Sequence, residues 1–138
     1  MEDAINLAVH IVSYTGNCAE LKPVHEDGRR AISELNLADS SIQSFVIKQA
    51  DLPLGNHYHE KKAELFIITK GSGRVYLYKL GKLEKHKDPL ELKKGSVVVV
   101  PKYTAHTFIL EPGSEMLCLS SAPFNEEDKD MIPYKIEF

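Results

Sequence analysis

The sequence predicts an all-β fold, a small barrel that takes up the whole chain of 138 residues as a single domain, residues 1–138. Short β-rich segments alternate with turn residues at intervals of roughly 8 to 12 residues, which is the spacing typical of sandwiches and barrels. No amphipathic helical pattern of about 11 residues or more is present. A chain of this length can bury one core but is short for two domains.

The strand prediction rests on apolar and β-branched segments bounded by glycine, proline and asparagine. Gly16 and Asn17 follow the first segment, Pro53 follows the third, and Gly71 to Gly73 separate the fourth from the fifth. These residues favour turns because glycine adopts positive φ and proline cannot continue a strand ladder. The predicted strands are residues 8–13, 30–35, 42–49, 65–69, 74–80, 95–100, 105–110 and 116–121.

One of these segments, residues 74–80, carries large side chains on both of its faces. One face is expected in the barrel interior and the other against a neighbouring sheet or subunit. Residues 5–14 have no obvious place in a minimal barrel and could cover an edge strand of a partner. Together these two features predict a homodimer.

Composition and charge exclude several classes of function. Apolar residues make up 43% of the chain and charged residues 27%, as in ordinary globular domains. The net charge of -3 offers no basic surface for nucleic acid. The longest apolar stretch, residues 97–101, is far shorter than the roughly 20 residues that span a bilayer, and the acidic N-terminus is unlike a signal peptide. The sequence therefore predicts a cytoplasmic protein without nucleic-acid or membrane partners.

The segment from Gly55 to Glu64 contains the residues that predict chemistry. His57 and His59 are two positions apart, so on an extended strand both imidazoles project from the same face. Glu64 opens the next strand, and His106 begins a later one. Three imidazoles and one carboxylate form a typical site for a divalent ion with room for water or substrate. His57, His59, Glu64 and His106 are therefore the predicted metal ligands.

The same residues carry a resemblance to the cupin superfamily. Its first signature segment matches His57, His59, Glu64 and Gly71, and its second matches Gly95, Pro101 and His106. Tyr103 stands where the second segment usually has glycine, and Leu110 where it usually has asparagine. The resemblance implies a jelly-roll barrel with a metal-binding core at residues 55–110. It favours zinc as the ion and leaves iron, manganese and nickel open.

A closer similarity extends beyond the signature segments. Residues 55–64 and 121–128 resemble the C-terminal, zinc-binding cupin domain of capsular-polysaccharide enzymes, in which a reductase domain precedes a cupin that epimerises a 4-keto nucleotide sugar. Residues 27–30 with Glu34 resemble the deoxysugar 3,4-ketoisomerases, which typically have glutamine at the position of Glu64. Both similarities imply a sugar-nucleotide substrate, and the first implies a separate reductase as a possible partner.

Proton exchange next to a carbonyl also needs an acid and a base within reach. The candidates are Tyr58, Lys62, Tyr76 and Tyr103. Tyr58 alternates with the histidines and is expected to point away from them, and Tyr76 and Tyr103 are the predicted catalytic residues. The predicted substrate-binding residues are Arg29, Arg30, Arg74 and Lys62. Guanidinium groups suit diphosphates because their N–H groups pair with phosphate oxygens.

Two other functions remain open at the level of sequence. Three histidines and a carboxylate also suit Fe(II) or Mn(II), so a small dioxygenase is an alternative. A non-catalytic sugar-binding module is the other. The two cysteines, Cys18 and Cys118, have no metal-binding spacing and are expected to be small buried hydrophobes.

Overall fold

A computed structural model of the chain describes residues 21–37, 40–49, 53–81, 88–122, 125 and 127–136. Within these ranges the chain forms β-strands and no helix, and so no helix long and apolar enough to cross a membrane occurs there. The strands are β1 (Lys22–Glu26), β2 (Arg30–Leu37), β3 (Ser40–Ile47), β4 (Leu54–Tyr58), β5 (Glu64–Lys70), β6 (Ser72–Lys79), β7 (Leu90–Lys93), β8 (Val97–Val100), β9 (Thr104–Leu110), β10 (Glu115–Ser120) and β11 (Ile132–Pro133).

The strands form two antiparallel sheets. One has the order β1-β2-β3-β10-β5-β8, and the other has the order β11-β4-β9-β6-β7. Most neighbours within a sheet are distant in sequence, which is typical of a jelly roll, in which the chain crosses repeatedly between the sheets. The all-β prediction is confirmed.

Seven of the predicted strands coincide with β2, β3, β5, β6, β8, β9 and β10 to within a few residues. The predicted segment 8–13 lies outside the described residues. Four short strands were not predicted: β1, β4, β7 and β11. All of β1 is exposed, so it shows no alternation, and β4 is irregular at Gly55 and Asn56. The predicted strand 95–100 begins only at Val97, because Gly95 has a φ of 92° in the preceding turn.

The core lies between the two sheets. Its buried side chains include Phe66 and Ile68 from β5, Val75 from β6, Phe108 from β9 and Met116 from β10. Each fully buried side chain of this size contributes roughly 1.5 to 3 kcal/mol through the hydrophobic effect. This apolar packing holds the two sheets against each other and so fixes the positions of the polar groups that the same strands carry.

A second, smaller cluster covers the outer face of the five-stranded sheet. Tyr76 of β6 packs there with Ala105, Ile109 and the C-terminal Ile136, and Tyr134 lies against this cluster. The two-sided pattern of residues 74–80 is therefore satisfied within one chain, by the segment around β11. The other basis for a dimer, residues 5–14, lies outside the described residues, and the homodimer stays a prediction.

Candidate metal centre

The four predicted metal ligands come together in the wall of one cavity. Their ligating atoms all lie within 4.8 Å of one another, and His59, Glu64 and His106 are buried. His57 is the last but one residue of β4, Glu64 is the first of β5 and His106 lies in β9. The imidazole centroid of His57 is 4.7 Å from that of His106 and 4.8 Å from that of His59. The tertiary fold thus gathers residues up to 49 positions apart into a cluster that could hold a metal ion.

A β-bulge at the start of β4 directs the histidines. Pairing with β9 runs from Gly55 opposite Thr107 to His57 opposite His106, with an irregularity in between. Gly55 has a φ of 106° and Asn56 a φ of 56°, and the Asn56 side chain accepts a 2.8 Å hydrogen bond from the Thr107 hydroxyl. The irregularity precedes His57, which pairs with His106 and Pro133, so the bulge sets the direction from which the chain enters the segment of the two histidines.

Backbone carbonyls orient two of the imidazoles. Nδ1 of His59 donates to the carbonyl oxygen of Asp130 at 2.6 Å, and Nδ1 of His106 donates to that of Thr104 at 3.2 Å. A carbonyl can only accept, so the Nδ1 atoms carry the protons and Nε2 is left to face the site. This arrangement is typical of metal-binding histidines.

The carboxylate of Glu64 completes the cluster. Its Oε1 lies 2.7 Å from Nε2 of His59 and 3.6 Å from Nε2 of His106, and its Oε2 accepts a 3.2 Å hydrogen bond from the thiol of Cys118. Within the described part of the chain, neither Oε1 of Glu64 nor Nε2 of His59 has a hydrogen-bond partner of acceptable geometry. Two buried electron-rich atoms this close require a cation between them, a proton or a metal ion. The donor set therefore fits a divalent ion such as zinc.

Burial and local charge set the protonation states of the cluster. Burial, followed by the charges of His106 and His59, lowers the pKa of His57 from 6.5 to about 3. Burial also lowers the pKa of His106. Burial by itself would raise the pKa of Glu64, but the imidazoles of His59 and His106 beside its carboxylate hold it well below its usual range. An ionised carboxylate and neutral imidazoles are the forms that bind a metal.

Two chain segments hold the loop after β4 in place. The carboxylate of Asp130 accepts hydrogen bonds from the backbone N–H groups of Glu60 (2.8 Å) and Lys61 (3.0 Å). The backbone N–H of Tyr103 donates to the carbonyl oxygen of His59 at 2.7 Å. Asp130 and Tyr103 both have positive φ, 47° and 56°. A φ in this region explains why glycine is usual at the position of Tyr103 in the cupin signature.

A cavity of about 610 Å³ opens above the metal ligands. Of the predicted substrate-binding residues, Arg29, Arg30 and Lys62 line it. Lys62 is only 8% exposed and lines the same cavity as the four ligands. The carboxylate of Asp27 accepts hydrogen bonds from the backbone N–H groups of Arg29 (2.8 Å) and Arg30 (3.0 Å), which fixes the turn that carries both arginines.

The other three predicted site residues lie away from this cavity. Tyr76 packs in the outer cluster of the five-stranded sheet, on the face opposite to Val75, which points into the core. Arg74 has the same parity on β6 as Tyr76, and its Nε donates to the Tyr76 hydroxyl at 3.3 Å. Tyr103 is 49% exposed, with its ring 6.4 Å from that of Tyr58. This placement argues against all three as groups that act at the cavity. Strand alternation turns Tyr76 and Arg74 to the outer face of the sheet, and Tyr103 lies exposed in the turn before β9.

The structure also brings residues to the site that the sequence did not predict. Glu34 and Gln43 line the cavity, Asp130 orients His59, and Cys118 contacts Glu64. The sequence of β2 and β3 could have indicated Glu34 and Gln43, because they are polar residues at strand positions that face the interior. Nothing in the sequence links Asp130 to His59 because they are 71 positions apart.

Fold and site together define a cupin-type barrel with a cluster of three histidines and one glutamate that could hold a metal ion. The family model described as the polysaccharide biosynthesis C-terminal domain matches residues 25–132. The chain belongs to this family. A comparison with curated proteins gave no significant match.

Solved structures share the fold at low sequence identity. The capsular polysaccharide assembling protein CapF from Staphylococcus aureus is 18% identical with a TM-score of 0.72, and the match covers 86% of this chain and 35% of that chain. KdgF from Halomonas sp. is 17% identical with a TM-score of 0.59, covering 77% and 89% of the two chains. The Streptomyces protein Pac13, described as a nucleoside dehydratase, is 13% identical with a TM-score of 0.62, covering 89% and 93%. This chain spans only about a third of the length of CapF.

Proposed function

We propose that this cupin acts on a keto nucleotide sugar and promotes exchange of the proton next to the carbonyl, as an epimerase or isomerase of polysaccharide or deoxysugar biosynthesis. The observation that carries the proposal is the pairing of a buried cluster of four metal ligands with a cavity lined by two arginines and a lysine. When bound, a divalent ion such as zinc would polarise the carbonyl oxygen and stabilise the enolate.

The protein's own residues supply binding and proton transfer. Arg29 and Arg30 stand together at the cavity and suit the two phosphates of a nucleotide sugar, because guanidinium groups pair with phosphate oxygens in a bidentate manner. Lys62 is the cavity-lining residue that we assign to proton transfer at the carbon beside the carbonyl, since it is a buried amine in the cavity that the ligands also line. Tyr76 and Tyr103 are not assigned a role because of their outward placement.

The relatives support this class of substrate. The family is described as a domain of polysaccharide biosynthesis, and CapF as a capsular polysaccharide assembling protein. Pac13 is described as a nucleoside dehydratase, and its structures include complexes with uridine. These descriptions have sugars and nucleosides in common, and a nucleotide sugar contains both. A separate reductase that supplies the keto sugar, and a homodimeric assembly, are further proposals. Light scattering that gives a mass near 15.5 kDa would remove the dimer.

The test is incubation of the zinc-loaded protein with 4-keto UDP- and dTDP-sugars in heavy water, read by mass spectrometry. Wild-type protein is expected to incorporate deuterium next to the carbonyl. Lys62→Met should abolish exchange while zinc stays bound, and Tyr76→Phe should exchange at the wild-type rate. If no substrate exchanges above the uncatalysed rate in protein shown to hold its metal, the proposed function is wrong.

The oxygenase alternative predicts a different metal and reaction. Elemental analysis of protein purified without added metal, combined with an oxygen electrode, separates the two. Iron with substrate-dependent oxygen uptake would favour the dioxygenase, whereas zinc retained in air without oxygen uptake would favour Lewis-acid chemistry.

A further inference from the structure

A second polar group faces the cavity from the six-stranded sheet. Glu34 of β2 and Gln43 of β3 are directly opposite each other in the antiparallel register, and both line the cavity. Their neighbours on the same face are apolar, with Ile32 paired to Phe45 one step along the strands. Directly opposed side chains have Cβ atoms about 5 Å apart, so the carboxylate and the amide lie side by side.

One carboxylate oxygen of Glu34 has no hydrogen-bond partner among the described residues. Its Oε1 is buried and makes no hydrogen bond with any residue that the structure describes. A buried oxygen without a partner destabilises the protein by about 1 to 3 kcal/mol relative to a paired one. Such an atom in the wall of a cavity is positioned to accept a hydrogen bond from a ligand that enters it.

The sheet order separates this pair from Glu64 along the six-stranded sheet. Gln43 is paired with Cys118 of β10, whose thiol contacts Glu64 of β5. Glu34 is thus three strands away from Glu64 in the order β2-β3-β10-β5. Three strand spacings correspond to about 14 Å. This is the backbone separation along the sheet. Glu34 and Glu64 thus line different parts of the same cavity, and a ligand whose carbonyl lies at the metal ligands would meet Glu34 with a part beyond that carbonyl.

We infer that Glu34 and Gln43 form a subsite that binds a vicinal diol on the second ring of the substrate. The inference rests on the proposed function for the position of the carbonyl. The Glu34 carboxylate accepts from one hydroxyl, while the Gln43 amide accepts from and donates to the adjacent one. A diol of this kind occurs both in the ribose of a nucleotide and in a second sugar ring.

The experiment measures binding by titration calorimetry with three probes: UDP-glucose, its 2′-deoxyribose analogue and the disaccharide cellobiose. Glu34→Gln and Gln43→Leu are compared with wild type and with Glu111→Gln, a control in an exposed turn. Loss of a hydrogen bond to a buried charged group is expected to weaken binding at least about tenfold in Glu34→Gln. The control should bind like wild type.

The pattern across probes identifies the ring. If the diol is that of ribose, wild type prefers UDP-glucose to the 2′-deoxy analogue, and Glu34→Gln removes this preference. If it is that of a second sugar, the two nucleotide sugars bind alike, and Glu34→Gln weakens cellobiose.

Thermal unfolding separates binding from a structural role. Because the Oε1 of Glu34 is unpaired, Glu34→Leu is expected to keep or raise the melting temperature while it weakens binding. A lower melting temperature in Glu34→Leu would assign Glu34 to structure and overturn the inference. Binding of every probe within twofold of wild type in both cavity variants, or no binding by wild type, would also overturn it.

The outcomes for the subsite and for the proposed function can be told apart. If wild type catalyses proton exchange and these variants have no effect on it, only the subsite is refuted. Diol-dependent binding without exchange would refute only the proposed function.

Discussion

Gly55→Ala tests whether the bulge in β4 builds the metal site. A Cβ atom at this position would lie 2.5 Å from the carbonyl oxygen of His106, although real Cβ atoms do not approach other atoms closer than about 3.0 Å. The obstacle is backbone, so β4 and β9 must separate by at least a few tenths of an ångström. That movement pulls His57 away from His106, the residue opposite it.

Gly95→Ala is the matched control. Gly95 has a φ of 92°, close to the 106° of Gly55, but a Cβ there meets nothing within 4 Å. Both variants carry backbone strain of about 1 to 3 kcal/mol. Gly55→Ala alone adds the steric clash, expected to cost about 1 to 3 kcal/mol more. A misplaced ligand should also weaken zinc binding at least about tenfold, or 1.4 kcal/mol.

Urea unfolding of the metal-free protein measures the first effect, and competition with a chromophoric chelator measures the second. Gly55→Ala should be less stable than Gly95→Ala and should bind zinc more weakly, while Gly95→Ala keeps the wild-type affinity. Equal unfolding free energies and equal zinc affinities in the two variants would refute the role of the bulge.

Three further predictions concern the ligands and their support. Glu64→Gln should weaken zinc retention at least about tenfold, because a neutral amide oxygen replaces an anionic ligand. Unchanged zinc after dialysis against a chelator would exclude Glu64 as a ligand. Asp130→Ala releases the loop that orients His59 and should weaken zinc binding about tenfold by chelator competition, whereas unaltered affinity would show that the loop holds without it. The pKa of His57 is about 3 when folded and 6.5 as the ordinary value, so the unfolded chain binds more protons between these values and the metal-free protein should lose stability as the pH falls from 6.5 toward 3. His57→Gln should show a shallower loss in urea unfolding, and parallel pH profiles would contradict the assignment.

The local sequence pattern was sufficient to predict the regular strands and the four candidate metal ligands. β5, β9 and β10 have apolar alternation or continuous apolar character, which depends only on neighbouring residues. The spacing of His57 and His59, with Glu64 after a short loop, is likewise local. β1 and β11 were missed because an exposed edge strand and a two-residue strand leave little periodic signal.

The role of each tyrosine and arginine could not be read from spacing. Tyr76 and Tyr103 were predicted to act at the site, yet strand alternation and the C-terminal segment place Tyr76 in an outer cluster, and Tyr103 lies exposed in a turn. Lys62, by contrast, lies in a loop whose direction the sequence does not determine, and the fold turns it inward.

The sequence by itself thus determined the fold class, the family signature and the four residues that could hold a metal ion, because those depend on residue type and short spacing. Only the tertiary structure decided which other groups meet them. Asp130 reaches His59 from 71 positions away, and Cys118 reaches Glu64 from 54. Glu34 and Gln43 face the same cavity because the two sheets close on each other. Contacts of this kind follow from sheet order and register, which long-range packing selects and local sequence does not specify.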